Sequence, residues 1–188
     1  MNVLMISGSP RKHGKTFEVL SKTRDELQKT GNSVELIHLI DTKMNGCLGC
    51  NRCFEDKERP YCIQGDEAQM LFDKILTADA TIYASPVYAF SFTAQMKAFL
   101  DRHYCLVTDP GSQDQSSLIE GKRVAMLATC CDPIEKNADL VSVVFDRLFK
   151  RLKCAIIGEY VVEGSFSDGF DSRAERVSSQ LVNDLVSA

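Results

Sequence analysis

Four of the eight cysteines lie close together in the sequence and could do chemistry as a group. Cys47, Cys50 and Cys53 follow a C-x2-C-x2-C spacing, and Cys62 follows after eight intervening residues. Three thiolates at three-residue intervals can surround one compact iron–sulfur cluster, with a remote cysteine as the fourth ligand. Zinc more often takes two separated pairs of ligands. The spacing leaves four readings open: an iron–sulfur cluster, zinc, a redox disulfide, or reduced structural thiols.

The other four cysteines are scattered through apolar stretches. We expect Cys105 and Cys154 to pack in the core, because free cysteine is among the most buried residue types. The adjacent pair Cys130-Cys131 follows a predicted strand, so a purely structural role is a weaker expectation for it.

The segment 8–16 has the composition of a phosphate-binding loop. It runs from an apolar strand into a helix, and a helix N-terminus offers unpaired N–H groups and partial positive charge. Hydroxyls and cations in the segment can add to that site. The candidate phosphate ligands are Ser9, Arg11, Gly14, Lys15 and Thr16.

A nucleotide P-loop is the rival interpretation of Gly14-Lys15-Thr16, and its spacing is wrong. A P-loop needs four residues between its two glycines. Ser9 occupies the position of the first glycine, and Gly8 lies one residue too early. The G-x-G-x-x-G pattern of dinucleotide-binding folds is also missing.

A second loop, over residues 85–92, carries Ser85, Pro86, Val87 and Tyr88 and two further aromatic residues. Proline stiffens such a turn, and flat apolar side chains beside backbone polar groups suit a planar heteroaromatic ring. The alternative is an aromatic loop that packs on its own helix.

Strands and helices alternate along the chain, which predicts one α/β domain with a doubly wound parallel sheet. The third helix is predicted from Ser91 to about Cys105, and a polar loop from Asp109 to Gly121. In such folds ligands bind at the carboxyl ends of the strands. The five strands are predicted at Val3–Ile6, Val34–Leu39, Ala80–Ala84, Arg123–Ala128 and Ala155–Val162.

Composition excludes several classes of protein. The 188 residues are 44% apolar and carry a net charge of −4, which argues against electrostatic binding of nucleic acid. No apolar stretch reaches the roughly 20 residues of a membrane helix, and the first residues lack the basic region of a signal peptide. We therefore expect a cytoplasmic protein with no membrane partner.

Both loops resemble those of a known family. Gly8-Ser9-Pro10-Arg11 through Thr16, and Ser85 through Tyr88 with the helix ending in Asp101-Arg102, resemble the NADPH-dependent FMN reductases, whose fold is flavodoxin-like. The resemblance covers residue 1 to about residue 130. Lys15 departs from the asparagine that is frequent in this family.

The cysteine segment, about residues 44–65, resembles the iron–sulfur flavoproteins, a branch of that family that binds a [4Fe–4S] cluster. The gap of eight residues before Cys62 is a few residues longer than is typical there. By resemblance, Cys47, Cys50, Cys53 and Cys62 are the candidate ligands.

The resemblance implies a single flavodoxin-like, three-layer α/β/α domain over 1–188, with a five-stranded parallel sheet and FMN as its cofactor. The phosphate would lie on the first loop, and Ser85, Pro86, Val87 and Tyr88 would line the flavin ring. Thr129 and Cys130, with Cys131, would face its other side.

In the activity that the resemblance implies, NAD(P)H or a ferredoxin would supply electrons for a small acceptor such as a quinone. A homodimer or homotetramer is implied as well. No side chain is expected to act as a nucleophile or base, since His13, His38 and His103 are too scattered for a triad. The alternative function is an electron carrier or redox sensor that acts with a protein partner.

Overall fold

The computed structural model describes residues 1–188, and its elements follow the predicted alternation. The strands are β1 (Asn2–Ser7), β2 (Ser33–His38), β3 (Ala80–Tyr88), β4 (Ser91–Phe92), β5 (Val107–Thr108), β6 (Ser116–Ser117), β7 (Arg123–Thr129) and β8 (Ala155–Val162). The helices are α1 (Lys15–Lys29), α2 (Ala68–Thr77), α3 (Ala94–Asp101), α4 (Asp139–Arg151) and α5 (Phe170–Ser187).

Five parallel strands form the central sheet in the order β2-β1-β3-β7-β8. The predicted doubly wound, five-stranded parallel sheet is therefore confirmed. The strand order reverses direction beside β1, and the carboxyl ends of β1 and β3 lie next to each other there. That edge is where ligands bind in open α/β sheets.

Alternating residues of β1 divide the core into two layers. Val3 and Met5 face a cluster that includes apolar residues of α1 and α5. Leu4 and Ile6 face the opposite cluster, built with α2, α3 and α4. Helices thus cover both faces of the sheet, as three-layer α/β/α packing requires. None of the helices is long and apolar enough to cross a bilayer.

The third helix is shorter than predicted. Residues 91–92 form β4, which pairs antiparallel with the end of β3. Thr93 then caps α3, because its hydroxyl accepts a hydrogen bond from the Met96 N–H at 3.2 Å. The helix ends at Asp101 and continues as a 3-10 turn, Arg102–Leu106. Periodicity alone did not reveal the cap that sets this start.

The segment Asp109–Gly121, expected to be a polar loop, is anchored to the body of the protein. Ser116 and Ser117 form β6, which pairs with β5. Ile119 is fully buried. One apolar side chain therefore ties down a stretch whose composition is otherwise that of a solvated linker.

The cysteine-rich segment lies between β2 and α2. It is irregular except for a 3-10 turn, Arg52–Glu55. Met44, Cys53 and Phe54 pack against the core cluster that lies under α2 and α3. The Phe54 ring lies 6.4 Å from the Tyr104 ring, centroid to centroid. The segment is thus attached to the body of the domain next to the end of α3.

His103 is a packing residue in the core. It is fully buried among aromatic rings, its Nε2 lies 3.0 Å from the Tyr83 hydroxyl, and its Nδ1 lies 3.0 Å from the Phe99 carbonyl. Burial lowers the pKa of His103 to about 4, so the imidazole is neutral in the folded protein at pH 7.

Candidate functional site

A pocket of about 150 Å³ opens at the carboxyl edge of the sheet. Four segments meet in it: the loop between β1 and α1, the end of β3, the end of β7, and the loop after β8. The lining residues are Ser9, Arg11, Lys15, Thr16, Pro86, Val87, Tyr88, Thr129, Cys130, Cys131, Ser165 and Phe166.

The residues predicted to bind the phosphate or to surround the flavin ring all line this pocket, except Gly14 and Ser85. Gly14 is the N-cap of α1 and does not itself line the pocket. Ser85 is buried; its Oγ donates to the Pro86 carbonyl at 2.9 Å and accepts from the Thr93 N–H at 3.3 Å. These two residues therefore shape the loops that carry the lining side chains.

The hydroxyls of Thr16 and Thr129 link two of these loops. Their Oγ1 atoms are 2.7 Å apart, and both side chains are buried. Thr16 also belongs to the first turn of α1, where the backbone N–H groups have no partner within the helix. A hydroxyl and free N–H groups thus lie at the same helix end, which suits an anion such as phosphate.

The three cations of the first loop have different partners. Lys12 pairs with Asp41 at 2.7 Å, and Lys15 pairs with Glu18 at 2.7 Å. The Lys15 ammonium also lies 4.9 Å from the centroid of an aromatic ring, that of Phe170. Arg11 lines the pocket and pairs with no carboxylate, so its charge is available to a ligand.

Gly8 is required by packing. A Cβ at this position would lie 2.6 Å from the Met96 Cβ, closer than two side chains can approach. The Gly8 N–H donates to the Ala84 carbonyl at 2.8 Å, and the Thr93 hydroxyl donates to the Gly8 carbonyl at 2.6 Å. These contacts hold the first loop, residues 8–16, against the start of α3. They also fix its position relative to the second loop, residues 85–92.

All four clustered cysteines line a second, larger pocket of about 470 Å³. Cys47 and Cys50 are exposed, whereas Cys53 and Cys62 are partly buried, and all are free thiols. Burial raises the pKa of Cys53. No group of three or more His, Cys, Asp or Glu side chains is arranged to hold a single metal ion. The thiols therefore surround a cavity without converging on one point.

Arg102 forms part of the wall of this cysteine pocket. Its Nη1 donates to both carboxylate oxygens of Asp66, at 2.7 and 2.6 Å, and to the Asn45 carbonyl at 3.2 Å. Burial raises the pKa of Asp66, but hydrogen bonds from Arg102 and the Asn45 N–H outweigh it and hold the pKa below its usual value. The Nε and Nη2 groups of Arg102 are buried and make no hydrogen bond, and the side chain of Cys62 lies beside the guanidinium.

Comparison with known proteins agrees with this geometry. The sequence model of the NADPH-dependent FMN reductases matches residues 1–164. The chain belongs to the NADPH-dependent FMN reductase family. An iron–sulfur flavoprotein of Archaeoglobus fulgidus is 41% identical over 102 residues, which are 54% of this chain and 45% of that protein. The chain spans about half the length of the curated iron–sulfur flavoproteins that it matches.

Solved structures share the fold at low sequence identity. An NAD(P)H:quinone oxidoreductase from Methanothermobacter marburgensis superposes with a TM-score of 0.73 at 17% identity, covering 97% of this chain and 96% of that one. A protein from Streptococcus mutans gives the same TM-score, 0.73, at 17% identity, covering 97% of this chain and 100% of that one. The flavodoxin-like fold is thereby confirmed.

Sequence reasoning missed two lining residues of this family member, Ser165 and Phe166. They follow β8, whose carboxyl end lies at the same edge as the other loops. The Ser165 N–H donates to the Cys130 carbonyl at 3.0 Å, which ties the two loops together. Phe166 is 82% exposed. A search of every segment that follows a parallel strand would have found both residues.

Cys130 and Cys131 differ in their surroundings. Cys130 is buried, and burial raises the pKa of its thiol to about 11, so it is a neutral thiol at pH 7. Cys131 is exposed, and its thiol lies 3.3 Å from a carboxylate oxygen of Asp132. The pocket thus presents one uncharged buried thiol and one solvent-facing thiol.

The hairpin that follows Tyr88 is strained. Tyr88 pairs with Ser91, so Ala89 and Phe90 form a two-residue turn, and both have positive φ, 48° and 63°. A turn with two positive φ values favours Asn-Gly. A non-glycine residue in this region costs roughly 1–2 kcal/mol. The strain is stored next to the residues that line the predicted ring site.

Replacing Ala89 with Asn and Phe90 with Gly should relieve this strain. We expect the double variant to be more stable by about 1 kcal/mol, which raises Tm by roughly 2–4 °C in a chain of this size. Phe90→Ala is the matched control, because it removes the ring and keeps a non-glycine residue at positive φ. A double variant that melts no higher than this control in calorimetry would contradict the account.

Proposed function

We propose that the chain is an FMN-dependent oxidoreductase that passes electrons from NAD(P)H or a ferredoxin to a small acceptor such as a quinone. The observation that carries the proposal is the convergence of the first loop and the end of β3 in one pocket. Family membership adds the cofactor, since the family is that of NADPH-dependent FMN reductases. An FMN-dependent NADH:quinone oxidoreductase of Gluconacetobacter diazotrophicus is 26% identical over 127 residues, 62% of this chain and 61% of that protein.

The residues present fit FMN. Arg11, Thr16 and the first turn of α1 would hold the phosphate through charge and hydrogen bonds. Tyr88 and the backbone of residues 86–88 would lie along the ring, with Thr129 and Cys130 opposite. When bound, the flavin supplies one- and two-electron redox chemistry, and this chain supplies binding and orientation.

The size of the pocket bears on the oligomeric state. At about 150 Å³ it is smaller than the roughly 300–1,000 Å³ of typical ligand sites, so it encloses only part of the cofactor. Two of the rings that line the pocket, those of Tyr88 and Phe166, are exposed to solvent. A second copy of the chain would cover these rings, in a homodimer or homotetramer. Analytical ultracentrifugation tests this, and a monomer at micromolar concentration contradicts it.

The four clustered cysteines would hold a [4Fe–4S] cluster in the same protein. They surround one cavity instead of converging on one point, which suits a polynuclear cluster whose ligands sit at its corners. Curated relatives named iron–sulfur flavoprotein support this assignment. The cluster would supply one-electron transfer. The flavin would couple one-electron transfer to two-electron transfer.

Iron analysis tests the cluster. We expect about four iron and four sulfide per chain after anaerobic purification or reconstitution. Cys50→Ser should lose most of this iron, whereas Cys154→Ser should retain it, because the Cys154 thiol packs near the Ile119 carbonyl away from the cysteine pocket. Fewer than one iron per wild-type chain, or zinc in its place, would overturn the cluster.

Steady-state kinetics test the oxidoreductase. The protein loaded with FMN should turn over with NADH or NADPH and a quinone. The second candidate is an electron carrier or redox sensor, favoured by the exposed Cys47, Cys50 and Leu48 around the cysteine pocket, which a protein partner could contact. Slow reduction by a protein donor, with no turnover of the quinone from NADH, NADPH or a reduced ferredoxin, would support the carrier and contradict the enzyme.

A further inference from the structure

The guanidinium of Arg102 is the most deeply buried cation beside the cysteines. The residue is only 3% exposed. Its Nη1 is committed to Asp66 and to the Asn45 carbonyl, while Nε and Nη2 have no hydrogen-bond partner. Leaving buried donors of a charged group unpaired carries the full cost of removing them from water. An acceptor inside the pocket would remove that cost.

The geometry of the Arg102 side chain is fixed from one side. Two short hydrogen bonds to Asp66 hold one end of the planar guanidinium, and α3 and its 3-10 extension carry the backbone. Because a guanidinium is rigid and planar, fixing one nitrogen also fixes the direction of the other N–H bonds. The free donors are therefore oriented before any ligand arrives.

The chemistry of the pocket selects the acceptor. Its wall holds Arg102 and five cysteines: Cys47, Cys50, Cys53, Cys62 and the buried Cys105. Neutral thiols are weak acceptors, whereas thiolate and sulfide sulfurs carry negative charge. A cysteine-ligated iron–sulfur cluster would supply negatively charged sulfur acceptors at this place. It would therefore satisfy the free donors and would compensate the buried positive charge.

We propose that Arg102 is a positioning residue that donates its free N–H groups to the sulfurs of the cluster held by Cys47, Cys50, Cys53 and Cys62, and that its charge raises the reduction potential of that cluster. The inference rests on the cluster in the proposed function. Hydrogen bonds to sulfur and a nearby positive charge both favour the reduced, more negative state. Asp66 acts through Arg102 by holding it in place and partly offsetting its charge.

The test is a redox titration of the cluster, followed by electron paramagnetic resonance, in the full chain loaded with FMN and reduced by dithionite. Arg102→Gln should lower the equilibrium constant for cluster reduction at least tenfold, which is 59 mV for one electron. Arg102→Lys, which keeps the charge and loses the planar fork, should fall between that variant and the wild type.

Two further variants separate this role from a structural one. Arg52→Gln removes an exposed arginine next to Cys53, and solvent screening should make its shift much smaller. Asp66→Asn keeps Arg102 and removes the carboxylate, so the potential should move upward. If Arg102→Gln does not fold, as judged by circular dichroism, Arg102→Lys and Asp66→Asn carry the test. The first should lower the reduction potential of the cluster, and the second should raise it.

The outcomes are distinguishable. A wild-type protein with fewer than one iron per chain overturns both the cluster and the role of Arg102. Full iron content in all variants with an unchanged potential overturns the role of Arg102 alone, and so does a shift in Arg52→Gln as large as that in Arg102→Gln. Quinone reductase activity with FMN is measured separately, and its absence concerns only the proposed enzyme.

Discussion

Replacing Arg11 with Ala should weaken FMN binding by about tenfold or more. Arg11 lines the pocket at the start of α1, and its neighbours Lys12 and Lys15 are already paired with carboxylates. A hydrogen bond to a charged group contributes roughly 1.5–3 kcal/mol, which corresponds to about 10- to 150-fold in Kd. Because Arg11 is exposed, solvent screening places the expected loss near the lower limit.

Fluorescence titration of FMN measures this loss. Arg24→Ala is the matched control, since Arg24 lies on α1 and pairs only with the adjacent Asp25. The control should bind FMN like the wild type. Added salt should weaken FMN binding more in the wild type than in Arg11→Ala. Equal affinity of Arg11→Ala and the wild type would refute the phosphate site on the first loop.

The second large effect is a loss of stability on mild acidification. His103 has a folded pKa of about 4, caused by burial, against about 6.5 in an unfolded chain. The unfolded state therefore binds the proton more strongly. The stability that comes from neutral His103 is fully present above pH 6.5 and is lost as the pH falls from 6.5 to 4. The loss reaches about 3 kcal/mol at pH 4.

Urea denaturation at pH 7.0 and at pH 4.5 measures this loss. His103→Gln should be less stable at pH 7, since the Tyr83 hydroxyl and the Phe99 carbonyl are affected, but it should lose less stability on acidification. His38 and the carboxylates titrate in both proteins, so the difference between wild type and variant isolates His103. An identical pH dependence in the two proteins would contradict the burial argument.

The fold could be predicted from the sequence because its signals are local. Short apolar strands such as Val3–Ile6 alternate with amphipathic helices, and parallel connections of this kind admit few topologies. Local signals failed where a tertiary contact determines the structure of a segment. The start of α3 depends on the Thr93 cap, and the shape of the 109–121 segment depends on the buried Ile119.

The pocket at the sheet edge was largely predictable for the same reason. Strand ends that share an edge bring Thr16 and Thr129 together, although 113 residues separate them in the chain. Phe166 belongs to no motif, and only its place after the last parallel strand marks it as a candidate. The strained Ala89-Phe90 turn was also hidden, since neither residue type favours positive φ.

The arrangement around the cysteines was predictable only in part. The spacing of Cys47, Cys50 and Cys53 indicates a shared site, and the structure places them with Cys62 around one cavity. The role of Arg102 is not visible in the sequence, because its partner Asp66 lies 36 residues away. Whether a buried cation has free donors is a property of the packed structure.

Comparing the binding of FMN with that of riboflavin tests the central claim most directly. The two ligands share the flavin ring, and riboflavin lacks the phosphate that the first loop is proposed to hold. Titration of the cofactor-free protein should give saturable binding of one FMN per chain and at least about tenfold weaker binding of riboflavin. Equal affinities, or no saturable binding of FMN, would contradict the account.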